Sequence, residues 1–404
     1  MTTHLLFRIN CILLLLFSSA CFAVSENTVG ANSFLQGQHW GGAQRYDASH
    51  FLMIPMFYAF EKNDKTLIDS YNTYVESFYS QSNEGIYFNK DSDRLKNLQF
   101  LYFLSTYSVL SNNTNYSKQM LNNVKSIWLE IPAWQWGREP FVNMKTRLDW
   151  KMTAGKNVGF NRAIIDEEFF TLGIAANLSR IYPTDPTLKE INSYTKQIFK
   201  QRSTFDDGRW LFDIGVWDNH PTFAYSGYND TKNITIKKPK KNIVTDTSHF
   251  MRMPILLWSF QGAFPQGSKD FLLFKSYRIG LEKQFYDKVI LRKENKILLN
   301  NFMDGSNGVF RWEYPSLGKG KGYGPYGLTS SFGMGWWALL PSNKIQNIYN
   351  DYYTQLRSGN KKDYCDSKIK NIGENKKFIS DPAYRNCLYL YNSYFASRIN
   401  QKRI

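Results

Sequence analysis

Apolar residues recur at helical spacing along most of this chain, and this periodicity limits the possible folds more than any other feature. Short polar breakers, such as "SNNTN" after Leu110 and "YPTDP" after Ile181, separate neighbouring segments. Short connections between amphipathic helices favour antiparallel hairpins. The sequence therefore predicts a mainly all-α fold of five helical hairpins and a C-terminal helix. The predicted helical segments are 49–61, 65–82, 92–111, 115–130, 161–182, 185–202, 246–263, 268–289, 327–340, 343–358 and 381–399.

Longer segments at 131–160, 203–243 and 290–326 interrupt the helical pattern and are rich in Trp, Gly, Asn and Lys. Helical hairpins in series with long loops at one end resemble the α/α toroid, in which inner helices surround a cavity and the loops build the site. A helical solenoid is the alternative, although its repeats would be more uniform in length and sequence. Because 131–160 has room for another helix, we expect an α/α toroid of five to six helical hairpins with elaborated loops and minor β structure.

The N-terminus has the pattern of a signal peptide. Arg8 precedes the apolar run "ILLLLFSSACFA", which is too short for a membrane helix and is followed by small and polar residues. We expect cleavage after Ala23, which gives a signal peptide at 1–23 and a single catalytic domain at 24–404. The alternative is a lipoprotein acylated at Cys21, although Ser18 stands where such sites usually have Leu. The sequence predicts a periplasmic or secreted protein, with no integral membrane segment because no later apolar run has membrane length.

Signal cleavage would leave a single pair of cysteines, Cys365 and Cys387. An even pair, close in sequence in an exported chain, predicts a disulfide. A zinc site from two cysteines would need a neighbouring histidine. We therefore expect a structural disulfide near the C-terminus.

The chain has a formal net charge of +16, and 17% of its residues are aromatic. A large positive charge favours a polyanionic partner, and Tyr and Trp rings are suited to stacking on sugars. The signal peptide and the lack of a nucleic-acid motif argue against nucleic acid. We therefore expect a monomer that binds an acidic polysaccharide, the alternative being a lysine-rich composition with no such partner.

Two short stretches are nearly the same: "DASHFLMIP" at 47–55 and "DTSHFMRMP" at 246–254. Each stands at the start of a predicted hairpin, so Asp47 and Asp246 are predicted to cap helix N-termini, and each Pro either kinks its helix or marks the true start. The alternative is a divalent metal held by both Asp–His pairs, with His50 and His249 as the other ligands. Because a cap at this spacing requires no metal, we expect no cofactor.

The histidines that follow the signal peptide, His39, His50, His220 and His249, all lie at predicted junctions between loops and helices. His220 belongs to the aromatic and polar stretch 210–228, and polar loops of this kind usually carry function. Arg252 in the second repeat offers a two-pronged donor for a carboxylate. The candidate catalytic set therefore includes His50, His220, His249 and Arg252.

Asn219 and His220, with Tyr225 shortly after them, resemble the Asn–His and Tyr constellation of α/α-toroid polysaccharide lyases, the alginate-lyase-like group. The resemblance implies that Asn219 neutralises a uronate carboxylate, His220 removes the C5 proton and Tyr225 protonates the leaving oxygen. Such an elimination needs donors that absorb the charge of the enolate, and a base and an acid within hydrogen-bond reach. Pro221 directly after His220 departs from the pattern of that group.

The candidate substrate-binding residues combine aromatic rings with one carboxylate: Trp40, Trp217, Tyr228, Trp312, Glu313 and Tyr323. A glycoside hydrolase on the same scaffold is the first alternative function, because it needs two placed carboxylates. A non-catalytic envelope protein that binds glycan is the second. The carboxylates available to a hydrolase are Asp47, Asp166, Glu167, Glu168, Asp246 and Glu313.

Overall fold

The structure is a computed structural model, and it describes residues 35, 40–41, 44–81, 94–156, 159–213, 217, 220–231, 234, 237–315, 317–358, 365 and 382–400. The expectations for the signal peptide, the lipoprotein cysteine Cys21, His39 and Asn219 lie outside these residues.

The described part of the chain is mainly helical, as the periodicity predicts. The α-helices are α1 (Gln44–Lys62), α2 (Lys65–Gln81), α3 (Arg94–Ser111), α4 (Ser117–Leu129), α5 (Met144–Met152), α6 (Asp166–Ser179), α7 (Pro186–Arg202), α8 (Thr247–Phe250), α9 (Met253–Gly262), α10 (Lys269–Gln284), α11 (Lys344–Arg357) and α12 (Pro382–Ala396). Short 3-10 helices lie at Phe160–Arg162, Pro221–Phe223, Thr329–Met334 and Trp336–Leu339, and a π-helical turn at Phe285–Val289 extends α10.

The strands form two small antiparallel hairpins within the predicted insertions. β1 (Ser203–Asp206) pairs with β2 (Arg209–Phe212), and β3 (Ile290–Lys293) pairs with β4 (Lys296–Leu299). In the first, Asp207 has a φ of 49° and Gly208 a φ of +72°, the left-handed backbone that a tight hairpin turn needs. The minor β structure expected from the sequence is therefore confirmed.

Local sequence explains several helix boundaries. Asp185 caps α7 by accepting from Thr187 N and Leu188 N at 3.0 and 3.1 Å, and a proline begins that helix. Asn143 caps α5, the further helix for which 131–160 has room, through a reciprocal capping box with Thr146.

Among the boundaries that differ from the prediction, three have an identifiable cause. Asp47 does not cap a helix, because α1 begins at Gln44 and places this carboxylate inside the first turn. The segment 246–263 is two helices, since Pro254 stands at the start of α9. The prediction of one helix over 327–340 is wrong: Gly335 has a φ of +86°, which divides the segment into two 3-10 helices.

The most buried helices pack on one another in sequence order. α1 packs on α3, α3 on α6 and α6 on α9; α9 contacts Trp336–Leu339, and α12 contacts both Thr329–Met334 and α1. At the α3–α6 crossing a Cβ on Gly173 would lie 2.7 Å from the Tyr102 ring, so this close approach requires glycine. Each of α1, α3, α6 and α9 also contacts the helix that follows it in the chain, namely α2, α4, α7 and α10.

The predicted disulfide between Cys365 and Cys387 is confirmed, with Cα atoms 5.3 Å apart. None of the helices in the described ranges is both long enough and apolar enough to cross a membrane.

Candidate active site

A cavity of about 390 Å³ lies where the N-terminal ends of α1, α6, α8 and α9 meet the long loops. Its walls combine aromatic rings with charged side chains. The rings include Tyr46, Trp134, Trp136, Trp217, Phe223 and Tyr314, and the titratable or charged residues are Asp166, Glu167, His220, Asp246, His249, Arg252 and Arg311.

His249 is held by a buried carboxylate. Asp246 caps α8 by accepting from Ser248 N and His249 N, both at 3.0 Å, and its Oδ2 lies 2.8 Å from Nδ1 of His249. Burial alone would raise the pKa of Asp246, but the His249 imidazole, the His249 backbone N–H and the charge of Arg311 outweigh it and lower that pKa. In the neutral form of the ring, a proton on Nδ1 that is donated to this carboxylate leaves the lone pair on Nε2. The capping role predicted for Asp246 is confirmed, and the same carboxylate orients a histidine of the cavity.

Arg252 joins the two repeats. Its Nη2 donates to the Tyr46 hydroxyl at 2.7 Å and lies 3.0 Å from Nε2 of His50. Its Nη1 forms an ion pair with Asp166 at 3.2 Å. Because Tyr46 and His50 belong to the start of α1 and Arg252 to the second repeat, the two similar stretches converge at one guanidinium.

Tyr46 directs a hydroxyl proton away from Arg252. An arginine cannot accept a hydrogen bond, so the phenolic oxygen is the acceptor and its own proton is available to another group. Burial raises the pKa of Tyr46 to about 12, with Arg252 opposing part of that increase. Tyr46 is therefore a neutral proton donor at neutral pH.

His50 is 3% exposed and does not line the cavity. Its Nδ1 lies 3.2 Å from the Tyr46 carbonyl oxygen, and its Nε2 faces Arg252. Burial, reinforced by the Arg252 charge, keeps the pKa of His50 well below its ordinary value. The neutral ring therefore acts on the cavity through Arg252, as a positioning residue.

His220 also lines the cavity, and its Nδ1 is an acceptor where Nδ1 of His249 faces a carboxylate. The backbone N–H of Thr222 donates to Nδ1 at 3.4 Å, and the Thr222 hydroxyl lies 2.9 Å from the same atom. Burial, followed by the charge of Arg311, lowers the pKa of His220. With Nδ1 as acceptor, the neutral ring carries its proton on Nε2, so His220 offers the cavity a hydrogen-bond donor.

Arg311 is a site residue that the sequence reasoning missed. Its guanidinium lies 4.6 Å from the ring centroid of Tyr314, 5.3 Å from that of Phe310 and 5.7 Å from that of Phe223. Within the described ranges no carboxylate forms an ion pair with it, and its buried Nε has no hydrogen-bond partner. It is therefore a cation available to an anionic ligand. A single Arg beside "WEYP" has no spacing signal that would reveal it.

Trp217 is the candidate substrate-binding ring that lines the cavity. It stacks on Phe223 at 5.0 Å and on Phe160 at 5.8 Å between ring centroids. Trp136 packs edge-on against it at 5.9 Å. Trp134 and Trp136 also line the cavity, and no motif in the 131–160 insertion marks them as site residues.

The other candidates from the loops lie away from the cavity. Tyr225 is buried and packs edge-on against Trp312 at 4.7 Å. Tyr228 lies beneath the Lys240 ammonium at 5.3 Å, and Tyr323 packs on the small apolar cluster around Phe310.

Glu313 is exposed and accepts from Gly320 N at 2.9 Å, which closes its own loop. Trp40 packs edge-on against Tyr74 at 5.0 Å. Neither lines the cavity.

Two of the carboxylates proposed for hydrolysis, Glu168 and Glu167, are paired with buried cations. Glu168 is fully buried, accepts from Lys151 Nζ at 2.5 Å and forms an ion pair with Arg147, whose Nε lies 2.9 Å from Oε1. Glu167, at the cavity wall, accepts from Arg147 Nη1 at 2.8 Å. Burial lowers the pKa of Lys151 to about 8, although Glu168 opposes that effect. This buried network supports the start of α6 below the cavity.

The two Asp–His pairs do not form a metal site. Arg252 lies beside the His50 ring, with Nη2 3.0 Å from Nε2, and its positive charge would repel a cation there. Over the described ranges, no cluster of at least three His, Cys, Asp or Glu side chains is suited to hold a metal ion.

Comparison of this chain with protein-family models, with curated proteins and with solved structures found no match.

Proposed function

We propose that this protein is an exported polysaccharide lyase that cleaves an acidic polysaccharide by β-elimination. The observation that carries the proposal is the arrangement of three groups around one cavity. These are His249, whose Nδ1 faces Asp246, Tyr46, whose hydroxyl oxygen accepts from Arg252, and Arg311, which forms no ion pair with a carboxylate in the described part of the chain.

The helix contacts support an α/α toroid as the scaffold. α1, α3, α6 and α9 pack in sequence order, the 3-10 segments continue the series, and α12 returns to α1. The helices that follow α1, α3, α6 and α9 in the chain form a second, less buried set. We propose that the first set forms the inner ring and that the cavity lies at its loop-bearing end.

The walls of the cavity suit an acidic sugar. Trp134, Trp136 and Trp217 offer apolar faces, as sugar rings require, and the guanidinium of Arg311 can hold a carboxylate in a two-pronged hydrogen bond. The chain's charge of +16 would also attract a polyanion before it binds.

The chemistry divides among the cavity groups as follows. Arg311 withdraws charge from the uronate carboxylate, which makes the C5 proton more acidic. Nε2 of His249 takes that proton, and the electron pair of the C5–H bond forms the C4=C5 double bond. The C4–O bond then breaks, and Tyr46 donates its hydroxyl proton to the leaving oxygen. His220 donates a hydrogen bond from Nε2 to the sugar or its carboxylate.

These roles revise the sequence-based hypothesis. Tyr225 is replaced by Tyr46 as the acid, because Tyr225 packs against Trp312 away from the cavity. His249 is preferred to His220 as the base, because Nδ1 of His249 faces the Asp246 carboxylate, which in the neutral ring places the lone pair on Nε2. The role proposed for Asn219 remains a prediction.

A glycoside hydrolase on the same scaffold is less well supported. It requires one carboxylic acid that is protonated and one free carboxylate. The cavity carboxylates Asp166, Glu167 and Asp246 are each paired with Arg252, Arg147 and His249 respectively. Each of the three carboxylates is therefore engaged by a neighbouring side chain, and none is placed as a free acid facing the cavity.

The proposed location is the periplasm or the cell exterior. It rests on the signal-peptide pattern at 1–23 and is consistent with the disulfide between Cys365 and Cys387.

The test is incubation of the purified mature protein with a panel of acidic polysaccharides, including alginate, polygalacturonate, hyaluronan and chondroitin sulfate. Elimination creates a conjugated unsaturated uronate, which is followed by ultraviolet absorbance. We expect Arg311→Ala to lower kcat/KM on the cleaved polymer by about 10²–10³-fold. The control is Arg138→Ala, an exposed guanidinium that stacks on Phe141 outside the cavity. Retention of a glycan without cleavage would instead support a binding protein.

A further inference from the structure

A second recess, of about 460 Å³, lies beside the proposed active site. Its wall includes the side chains of Lys240 and Lys241 with Asn229, Asn242 and Asn307. Both lysines are exposed, and over the described ranges neither forms an ion pair with a carboxylate. Their charges are therefore available to an anionic ligand.

The same loops build both recesses. The loop 220–229 supplies His220 to the cavity and Asn229 to the second recess, and 240–246 supplies Lys240 to the recess and Asp246 to the cavity. The loop 304–326 also contributes to both. The two recesses are therefore neighbouring parts of one loop layer.

Hydrogen bonds hold this layer together between the recesses. Ser226 accepts from Lys240 N at 2.9 Å through its carbonyl, and its hydroxyl donates to the carbonyl of Phe310, the residue before Arg311. Gly227 and Val309 are joined by a further bond at 2.8 Å. A Cβ on Gly308 would lie 2.2 Å from the Gly227 carbonyl, so the two loops touch along their backbones. This short, fixed path joins Lys240 to Arg311.

Asp304, the acidic residue in the second recess, is hydrogen-bonded within its own loop. Asp304 accepts from the Ser306 backbone N–H at 2.9 Å and from the Ser306 hydroxyl at 2.7 Å. Lys240 lies over the Tyr228 ring, which holds the ammonium at the surface. The recess therefore combines amide side chains with two ammonium groups that form no ion pair within the described ranges, as a carboxylated or sulfated sugar would require.

We infer that this recess is a second subsite, in which Lys240 and Lys241 bind an acidic sugar of the chain whose neighbouring unit occupies the cavity at Arg311. This inference rests on one part of the proposed function, namely that the ligand is an acidic polysaccharide. It does not depend on the proposed elimination. It implies that long acidic chains bind more tightly than short ones, because only a chain that reaches both recesses engages both cationic sets.

The experiment measures binding by calorimetry, with size-fractionated acidic oligosaccharides from the polysaccharide panel as probes. We expect Lys240→Ala/Lys241→Ala to weaken binding of the long fragments by about three- to tenfold and to leave the shortest bound fragment unaffected. Lys237→Ala/Lys238→Ala is the matched control. These two substitutions remove the same charge from the same loop, but the exposed lysines they replace do not line the recess.

Equal weakening by both double variants would overturn the inference, since it would show diffuse attraction without a subsite. Equal affinity of short and long fragments, or no binding of any fragment, would overturn it as well. A wild-type protein that binds long fragments in a Lys240- and Lys241-dependent way but cleaves none would refute the lyase and retain the subsite. Cleavage of the polymer with no difference between the double variants would refute the subsite and retain the lyase.

Discussion

Replacing Asp246 with Asn separates the charge of this side chain from its role as a helix cap. The carboxylate caps α8 through two backbone N–H groups at 3.0 Å and holds Nδ1 of His249 at 2.8 Å. Asn is as good an N-cap as Asp, so the start of the helix should persist. The negative charge opposite the imidazole is lost, and the Asn amide can stabilise the wrong tautomer.

Two magnitudes follow from that geometry. The free energy of unfolding should fall by at most about 3 kcal/mol, the upper value for one hydrogen bond to a charged group. The cleavage rate should fall by about 10²–10⁴-fold, because a general base with its proton on the wrong nitrogen cannot act. Stability and rate therefore respond very differently to one substitution.

The pH dependence has a definite sign. Since the pKa of Asp246 is lowered in the folded state, its ionised form contributes stability above the ordinary carboxylate value of about 4. That contribution is lost as the pH falls through the lower, folded-state pKa. Asp246→Asn should lack this acid-dependent loss.

The assay pairs polymer cleavage with urea unfolding. Asp185→Asn is the matched control, because Asp185 caps α7 with the same two-bond geometry outside the cavity. Asp185→Asn should leave the cleavage rate unchanged. If Asp246→Asn cleaves as fast as the wild type, His249 is not the base and the reasoning fails.

Three further substitutions or treatments test the fold. His50→Gln should make the free energy of unfolding less dependent on pH between pH 5 and 7. In the wild type the buried ring stays neutral while the unfolded chain gains a proton below about pH 6.5, so the free energy of unfolding should fall by up to about 1.4 kcal/mol per pH unit as the pH falls. Parallel wild-type and variant curves in urea unfolding would refute this. Lys151→Ala should cost about 3–5 kcal/mol because its carboxylate partner is fully buried, whereas Lys196→Ala, at a surface pair, should cost no more than about 1 kcal/mol in the same denaturation assay. Reduction of the disulfide, which spans 22 positions between Cys365 and Cys387, should lower stability by about 3 kcal/mol on the chain-entropy model, and an unchanged melting temperature in reductant would contradict it.

The helical architecture could be predicted because its signal is local. A period of 3.6 residues marks a buried helix face wherever it occurs, and the boundaries of α2, α3 and α7 follow it closely. The segment 327–340 shows the limit of that signal, since its apolar residues fit a helix while the left-handed Gly335 interrupts the backbone. The sequence alone does not show whether a glycine adopts a positive or a negative φ.

The site was only partly predictable. The few histidines drew attention to His220 and His249, and the repeat led to Arg252. Arg311 and Tyr46 carry no motif, and they became visible only where the fold brought distant loops to one cavity. Nearness in sequence was also a poor guide to the position of Tyr225. It is close to His220 in the chain, but its ring packs against Trp312.

The proposed elimination is tested most directly by the mass of its products in water enriched in heavy oxygen. Elimination cleaves the chain without water, so we expect fragments that contain no heavy oxygen from the cleavage step and end in an unsaturated uronate. These fragments should be absent with His249→Ala. Fragments that each gain one heavy oxygen at the new reducing end would show hydrolysis and contradict the lyase.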